Sequence, residues 1–450
     1  MTRDILQEVL QKIKPSKEER ELVERIKGEL LGLVREEIER AGLEVKPYFV
    51  GSLAKDTYLA GDHDIDLFLA FPLDVPLNEL KEEGFKLAEA IGKRLDSYEK
   101  AYAEHPYISG KYKGFDVDLV PCYDVNSWRE VRTAVDRSIL HNRWVLKHLN
   151  GRNDEVRLLK RFFKGINVYG SEIYVKGFSG YLTELLIIQS GSFLDVLKSA
   201  DFMHRKKIID PEGWLKKERE RALKTIEREK EAPLIVLDPV DPRRNVASAL
   251  SWEKFARFYF KARDFLEKPS IEFFFPKEPQ AADYRELIQR KGTHLLVLLF
   301  EKPSFIDDVL LPQLEKSARG LWKAVEKAGF NVYDANWGYG EKAFIMLEVE
   351  GLERPKIKVH PGPEFYTSRG LNFYKKHDMV WVRGRNLFSE KHQKSYIVDV
   401  IIDLLEKNQV SLGRNLRDAI KEADILVDFV PPGLKREAYL FLSKKKWNLK

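Results

Sequence analysis

At 450 residues, with 44% hydrophobic and 33% charged side chains, the chain has apolar material for roughly two to four packed cores, which excludes a disordered or fibrous protein. Lysines and arginines number 77 against 71 acids, and the resulting +6 suits an anionic partner without requiring one. A single cysteine, Cys122, excludes an intrachain disulfide and a cysteine-built zinc site, so a reducing, cytoplasmic setting is expected. The longest apolar run, Leu295 to Phe300, is far short of the ~20 residues a membrane helix needs, and Met1 to Lys14 lacks the apolar stretch of a signal peptide.

Ser16 and Glu19 form a capping-box pattern, and Leu22, Ile26, Leu30, Leu33, Val34 and Ile38 follow at helical spacing until Gly42, which predicts one long amphipathic helix. Val45 to Val50 reads as a strand running into Gly51-Ser52, followed by a helical turn over Ala54 to Leu59 and a second strand, Ile65 to Ala70. A helix over about Asn78 to Leu95 precedes strands near Lys100 to His105 and Phe115 to Pro121. This order predicts a mixed α/β domain whose sheet is covered on one side.

From Asn153, with Val156, Leu159, Phe162 and Phe163, the middle of the chain reads as mostly helical, with further helices over Gly180 to Ser190 and Trp252 to Glu267. Beyond Pro269, strands are expected at Thr293 to Phe300, Asn331 to Asn336 and Lys342 to Glu350. Helices are expected over Leu311 to Ala328, Ser395 to Lys407 and Ser411 to Ala423, so the last third is α+β. Domain cuts near 150 and 268 divide the chain into 1–150, 151–268 and 269–450.

Asp62, Asp64 and Asp66 stand at every second position, and on a strand such residues project from one face while Ile65 and Leu67 turn into a core. Phe115 to Val120 repeats the pattern with Asp116 and Asp118. If the two strands are neighbours, acids from both can surround divalent cations, the arrangement used for in-line displacement at phosphorus. A solvent-facing acidic edge of an antiparallel sheet is the plainer alternative. Gly51-Ser52 sits between a strand end and a helical turn, where glycine lets backbone approach a ligand and serine can donate to phosphate.

The Gly51-Ser52, Asp64-Ile65-Asp66 and Asp118 set resembles the nucleotidyltransferase superfamily typified by DNA polymerase beta. The strings Val50-Gly51-Ser52-Leu53-Ala54-Lys55, Val117 to Tyr123, Ala134 to Arg137, Glu155 to Lys160, Lys176 to Tyr181, Asp238 to Asp241 and Arg244 to Ala247 narrow the resemblance to the archaeal, class I CCA-adding enzymes. The resemblance implies a multidomain α/β and α+β chain: a polymerase beta-like nucleotidyltransferase head, a helical middle domain binding nucleotide and the tRNA end, and an α+β C-terminal RNA-binding region. It implies template-independent addition of C, C and A to tRNA from CTP and ATP with two Mg²⁺ ions, in the cytoplasm and away from membranes. Contact with the acceptor and T arms of tRNA follows, and a homodimer is compatible with it.

Residue by residue, Asp64, Asp66 and Asp118 fall on the family's metal carboxylates, and Ser52, beside Gly51, on its phosphate-contacting serine. Lys55 stands where many members carry arginine, and others carry glutamate where Asp64 stands. His141, Lys160 and Tyr169 fall on positions that hold triphosphate and sugar, and Arg244 on the arginine that helps read the base.

Each also has a plain structural reading: a capping histidine, a solvated helix face, core filling, a basic pair in a loop. Asp62, His63 and Asp116 are expected to be structural. His204-Arg205-Lys206-Lys207, Lys375-Lys376-His377, Lys444 to Trp447, Gly362 to Phe365 and Trp381 to Arg385 are candidates for RNA contact. A poly(A) polymerase-like enzyme, or a catalytically silent RNA-binding factor on the same fold, are the alternatives.

Overall fold

A computed structural model of the chain describes residues 2–102, 106–203, 208–277 and 283–444. The chain divides into two compact units, Met1–Lys277 and Glu278–Asn448. The first begins with α1 (Thr2–Ile13), which sequence reading did not anticipate and which buries only Val9 and Ile13. The predicted long helix is α2 (Lys17–Ala41): Ser16 Oγ accepts from Glu19 N, and Gly42 closes the helix in the left-handed region at φ +63°.

Then come β1 (Lys46–Val50), the single turn α3 (Gly51–Ala54), β2 (Asp64–Phe71), α4 (Leu77–Gly92), β3 (Ser97–Tyr102), β4 (Pro106–Tyr112) and β5 (Phe115–Tyr123). The sheet order is β1-β2-β5-β4-β3, and β2 and β5 pair in parallel at its centre. The expected turn over Ala54 to Leu59 therefore begins earlier, at Gly51 itself. The strand expected near Lys100 to His105 lies at Ser97–Tyr102, and residues 103–105 fall outside the described residues. β4 was not foreseen because Ile108 is its one fully buried side chain, so pairing with β3 and β5 defines it.

Ile65, Leu67, Leu69, Phe115, Val117 and Leu119 pack with Leu30, Val34, Leu80 and Ile91 from α2 and α4, covering one face completely. The other face departs from the expectation of a bare side. Val50, Phe68, Ala70 and Cys122 are buried there with Ile139 of α5 (Arg137–His148), so only the end carrying Asp64, Asp66 and Asp118 stays open.

The rest of this unit contains α6 (Asn153–Gly165), α7 (Gly180–Ser190), α8 (Phe193–Met203), β6 (Ile208–Ile209), α9 (Trp214–Lys217), α10 (Arg219–Arg228), β7 (Ile235–Asp238), β8 (Asp241–Asn245) and α11 (Trp252–Glu267). Phe162, Phe163, Phe178, Phe193, Phe258, Phe265 and Phe274 form its aromatic core. The small sheet β6-β7-β8 interrupts the expected helical character. Its last strand, Asp-Pro-Arg-Arg-Asn, has no β-forming side chain and is held by pairing Leu237 with Asn245 and Asp238 with Asp241.

Buried Arg157 of α6 ties this region to the loop after α3, donating from Nε to Tyr58 O at 2.9 Å and from Nη2 to Asp56 O at 2.7 Å. Asn153 Nδ2 donates to Lys55 O at 3.0 Å beside it.

The second unit holds α12 (Tyr284–Lys291), β9 (His294–Glu301), α13 (Asp307–Lys327), β10 (Val332–Tyr339), β11 (Lys342–Val349), β12 (Ile357–Glu364), α14 (Ser368–Lys376), β13 (Val380–Arg383), β14 (Asn386–His392), α15 (Ile397–Glu406), α16 (Arg417–Lys421), β15 (Asp424–Val427) and α17 (Lys435–Leu442). The sheet β10-β11-β9-β15 is apolar on both faces, with Leu296 and Leu298 on one side and Leu295 and Val297 on the other. The helix expected over Ser411 to Ala423 shrinks to a 3-10 turn, Arg414–Leu416, followed by α16. The sheet β12-β14-β13 was missed because β12 and β13 are largely exposed, and β14 buries only Leu387 and Ser389, one of them polar. No helix among the described residues is long and apolar enough to cross a membrane.

Removing the Arg157 guanidinium strands the Tyr58 carbonyl inside the protein and leaves Asp56 O with only its bond from Asn153 Nδ2 at 3.1 Å. Arg157→Ala is expected to lower unfolding free energy by about 3 kcal/mol, read from denaturant unfolding.

Candidate active site

Parallel pairing sets Asp64 opposite Asp116 and Asp66 opposite Asp118, on strands about 4.8 Å apart. Because both strands are central, the acids do not belong to a solvent-facing edge of an antiparallel sheet. Asp116 turns away to the surface, where Lys111 Nζ donates to it at 2.6 Å. Asp64, Asp66 and Asp118 line a cavity of about 510 Å³ together with Gly51, Ser52, Lys55, His141, Lys160 and Tyr169.

The three acids resist ionisation. Burial and then Asp118 push Asp66 up to about 6. Burial, with Asp62 and Asp116, raises Asp64; burial raises Asp118 also, against a hydrogen bond from Ser109. Among the described residues, no three of His, Cys, Asp and Glu are gathered into a set that could cage an ion unaided. The donor chemistry nevertheless fits a hard divalent cation. It supplies carboxylate oxygens that oppose one another's charge, and the remaining ligands can come from water or phosphate.

Gly51 sits at φ +73°, and a Cβ there would lie 1.9 Å from Asp66 Oδ2. Glycine is thus needed for the loop to close on the carboxylate itself, a closer constraint than the approach to a ligand expected from sequence.

The opposite wall comes from α5, α6 and α7. Lys160 of α6 is buried, and burial pulls its ammonium down to about 8. Burial pushes the Tyr169 phenol up. Lys164 Nζ donates to Asp62 Oδ2 at 2.8 Å, so the expected structural acid is part of the rim.

Lys55 is engaged differently from a free phosphate contact: its Nζ donates to Glu184 Oε2 of α7 at 2.5 Å, both groups buried, and Thr57 Oγ1 donates to Glu184 Oε1 at 2.8 Å. His141 Nε2 donates to Asp238 Oδ2 at 2.8 Å, and its ring stacks on Tyr181 at 4.0 Å. Burial lowers the His141 pKa, with Asp238 opposing. Arg244 is not among the residues lining the cavity; it is partly exposed beside it, its Nη1 donating to the same Asp238 Oδ2 at 3.0 Å.

Sequence reading therefore missed Glu184, Tyr181 and Asp238 as parts of the site. Tyr181 and Asp238 lay within recognised strings without a role, and the Glu184 pairing joins residues 129 positions apart.

Gly51→Ala is expected to displace the Asp66 carboxylate and reduce catalytic activity roughly hundredfold, and, because a Cβ is strained at φ +73°, to lower the melting temperature by a few degrees. Asp66→Asn removes a carboxyl whose pKa stands above its ordinary value. In metal-free protein this substitution should raise the melting temperature by a few degrees above pH 6, where Asp66 is ionised, and lose that advantage below about pH 4, where Asp66 is protonated folded or unfolded.

A family model described as nucleotidyltransferase domain matches residues 31–141, one described as tRNA nucleotidyltransferase, second domain, matches 154–275, and one described as CCA-adding enzyme, C-terminal domain, matches 291–428. The CCA-adding enzymes of Thermococcus gammatolerans and Thermococcus kodakarensis are each 61% identical over 99% of this chain and 99% of their own. That of Pyrococcus abyssi is 58% identical over 100% of both. A solved cytoplasmic RNA terminal U-transferase overlaps 62% of this chain and 100% of its own at TM-score 0.45 and 16% identity, too loose a likeness to carry an argument. On these end-to-end matches the chain belongs to the CCA-adding enzyme family of nucleotidyltransferases, which implies nucleotide substrates and use of a metal.

Proposed function

We propose that this chain adds C, C and A, without a nucleic-acid template, to the 3′ end of tRNA, using CTP and ATP and releasing pyrophosphate. The observation that carries the reading is the convergence of Asp64, Asp66 and Asp118 on a cavity that has Ser52 on their own side and Lys160 and Tyr169 on the facing wall. Asp64, Asp66 and Asp118 would hold two Mg²⁺ ions, which when bound lower the pKa of the attacking 3′ hydroxyl and screen the triphosphate. Ser52, beside Gly51, donates to phosphate. Lys160, His141 and Tyr169 meet the charge and sugar of the nucleotide. Lys55, already bonded to Glu184, contributes positive charge from inside the wall rather than a free ammonium. Arg244 helps read the base.

The proposed division into a catalytic part over 1–150, a nucleotide and tRNA-end part over 151–268 and a tRNA-binding part over 269–450 draws support from three family matches, the first and last lying within their parts and the middle one, 154–275, running past the cut at 268. In the last, Phe365, Tyr366 and Tyr374 are exposed near Arg369, Arg383 and Arg385 in sequence, a composition suited to gripping the acceptor and T arms. Lys444 pairs with Asp334 and Glu348, which argues against RNA contact there. Residues 204–207 and 445–447 lie outside the described residues. A cytoplasmic location goes with this substrate, and a homodimer is admitted but not needed.

The test offers tRNA lacking its terminal CCA with CTP, with ATP, and with both. C and C are expected from CTP alone, and the final A only when both are present. A long A tail would favour a poly(A) polymerase-like enzyme. No incorporation, with a cellular role untouched by Asp66→Ala and Asp118→Ala, would favour a silent RNA-binding factor.

A further inference from the structure

Asp238 ends β7, and its carboxylate is fully buried beside the cavity. Oδ2 accepts from His141 Nε2 and Arg244 Nη1; Oδ1 accepts from Tyr181 Oη at 3.2 Å and from Val240 N at 3.0 Å. Trp214 Nε1 donates to the Asp238 backbone carbonyl at 2.8 Å, fixing the turn from behind. Burial alone would push this carboxyl up, yet His141 and Arg244 hold it at about 2, so it stays ionised.

A second buried carboxylate in the same unit shows what a purely scaffolding acid looks like. Asp136 accepts from the backbone N–H of Tyr123, Arg132 and Thr133 and from Thr133 Oγ1, all within its own loop and the adjoining strand end. Asp238 differs in kind: three of its four donors are side chains from α5, α7 and β8, and two of these, His141 and Tyr181, line the cavity.

The two neighbouring arginines differ in the same way. Arg243 is taken up by Asp241 and by the Trp128 carbonyl. Arg244, with its side chain 40% exposed, has Asp238 as its one hydrogen-bond partner among the described residues, leaving most of its planar fork unengaged.

We propose that Asp238 is the positioning residue for nucleotide choice: it locks Arg244 and His141 into one geometry, so that the unengaged guanidinium donors meet the edge of an accepted base and leave a wrong base unpaired. This rests on the reading that the chain transfers nucleotides to RNA. A guanidinium held at one nitrogen presents its other donors in fixed directions, whereas an unheld one rotates to satisfy any acceptor, and discrimination is lost with the rigidity.

The test is Asp238→Asn in the full chain, measuring kcat and KM for CTP and ATP and the kcat/KM ratios of CTP over UTP and ATP over GTP on tRNA lacking its end. Asparagine keeps the shape but removes the charge and one acceptor. The expected result is a rise in KM of about tenfold, a loss of discrimination of about tenfold or more, and a smaller change in kcat.

Tyr181→Phe removes one donor to Asp238, keeps the ring over His141, and should shift discrimination the same way by less. It carries the test where Asp238→Asn does not fold. Asp136→Asn is the scaffold control, expected to lower the melting temperature without changing discrimination. Discrimination unchanged in both Asp238→Asn and Tyr181→Phe, with only kcat or melting temperature lowered, would overturn the proposal. A protein that extends RNA with some other nucleotide would overturn the CCA reading alone, because the ratio of preferred to rejected nucleotide still reads Asp238.

Discussion

Two carboxylates placed side by side on central parallel strands, Asp66 opposite Asp118, repel one another and cannot be enclosed without a counter-charge. The head sheet carries this pair only because the end of one face is left open while α2 and α4 seal the other and α5 covers the rest. The raised pKa of Asp66 records the strain of that placement, and Gly51, closing on its oxygen, keeps the side chain from swinging away. A site of this kind lowers stability in return for a strong attraction toward cations, a common trade at functional centres.

The facing wall is built by a second set of buried charges. Glu184 holds Lys55 across the junction of head and helical region, and Arg157 grips the loop between α3 and β2. These bonds bring Lys160 and Tyr169 of one region against carboxylates of the other, so the cavity exists only when both are folded together. Acids in this unit therefore do three different things: half-buried Asp66 faces the cavity short of counter-charge, buried Glu184 joins two regions, and buried Asp136 shapes a loop.

The second unit follows another balance. Its four-stranded sheet is held by apolar packing on both faces, while β12-β14-β13 exposes Val359 and Val382, with Tyr366 and Tyr374 exposed beside it in the chain. Such a surface gains little from its own core, and it is the composition expected where flat rings and cations meet nucleic acid.

The alternation of acids and aliphatics in Asp64-Ile65-Asp66 and Phe115 to Leu119 already determined which face each side chain takes, because the period of a strand is two whatever surrounds it. The Ser16 to Gly42 helix was equally legible, since its cap, its apolar stripe and its stop are all local. Tertiary structure alone decided that the two acidic strands are parallel neighbours, that Lys55 pairs with Glu184, and that Asp238 joins His141 to Arg244. All but Asp238–Arg244 link residues far apart in the chain, and β8 shows why even that near pair leaves no trace in it: a strand written Asp-Pro-Arg-Arg-Asn exists because its partners hold it, not because its residues prefer it.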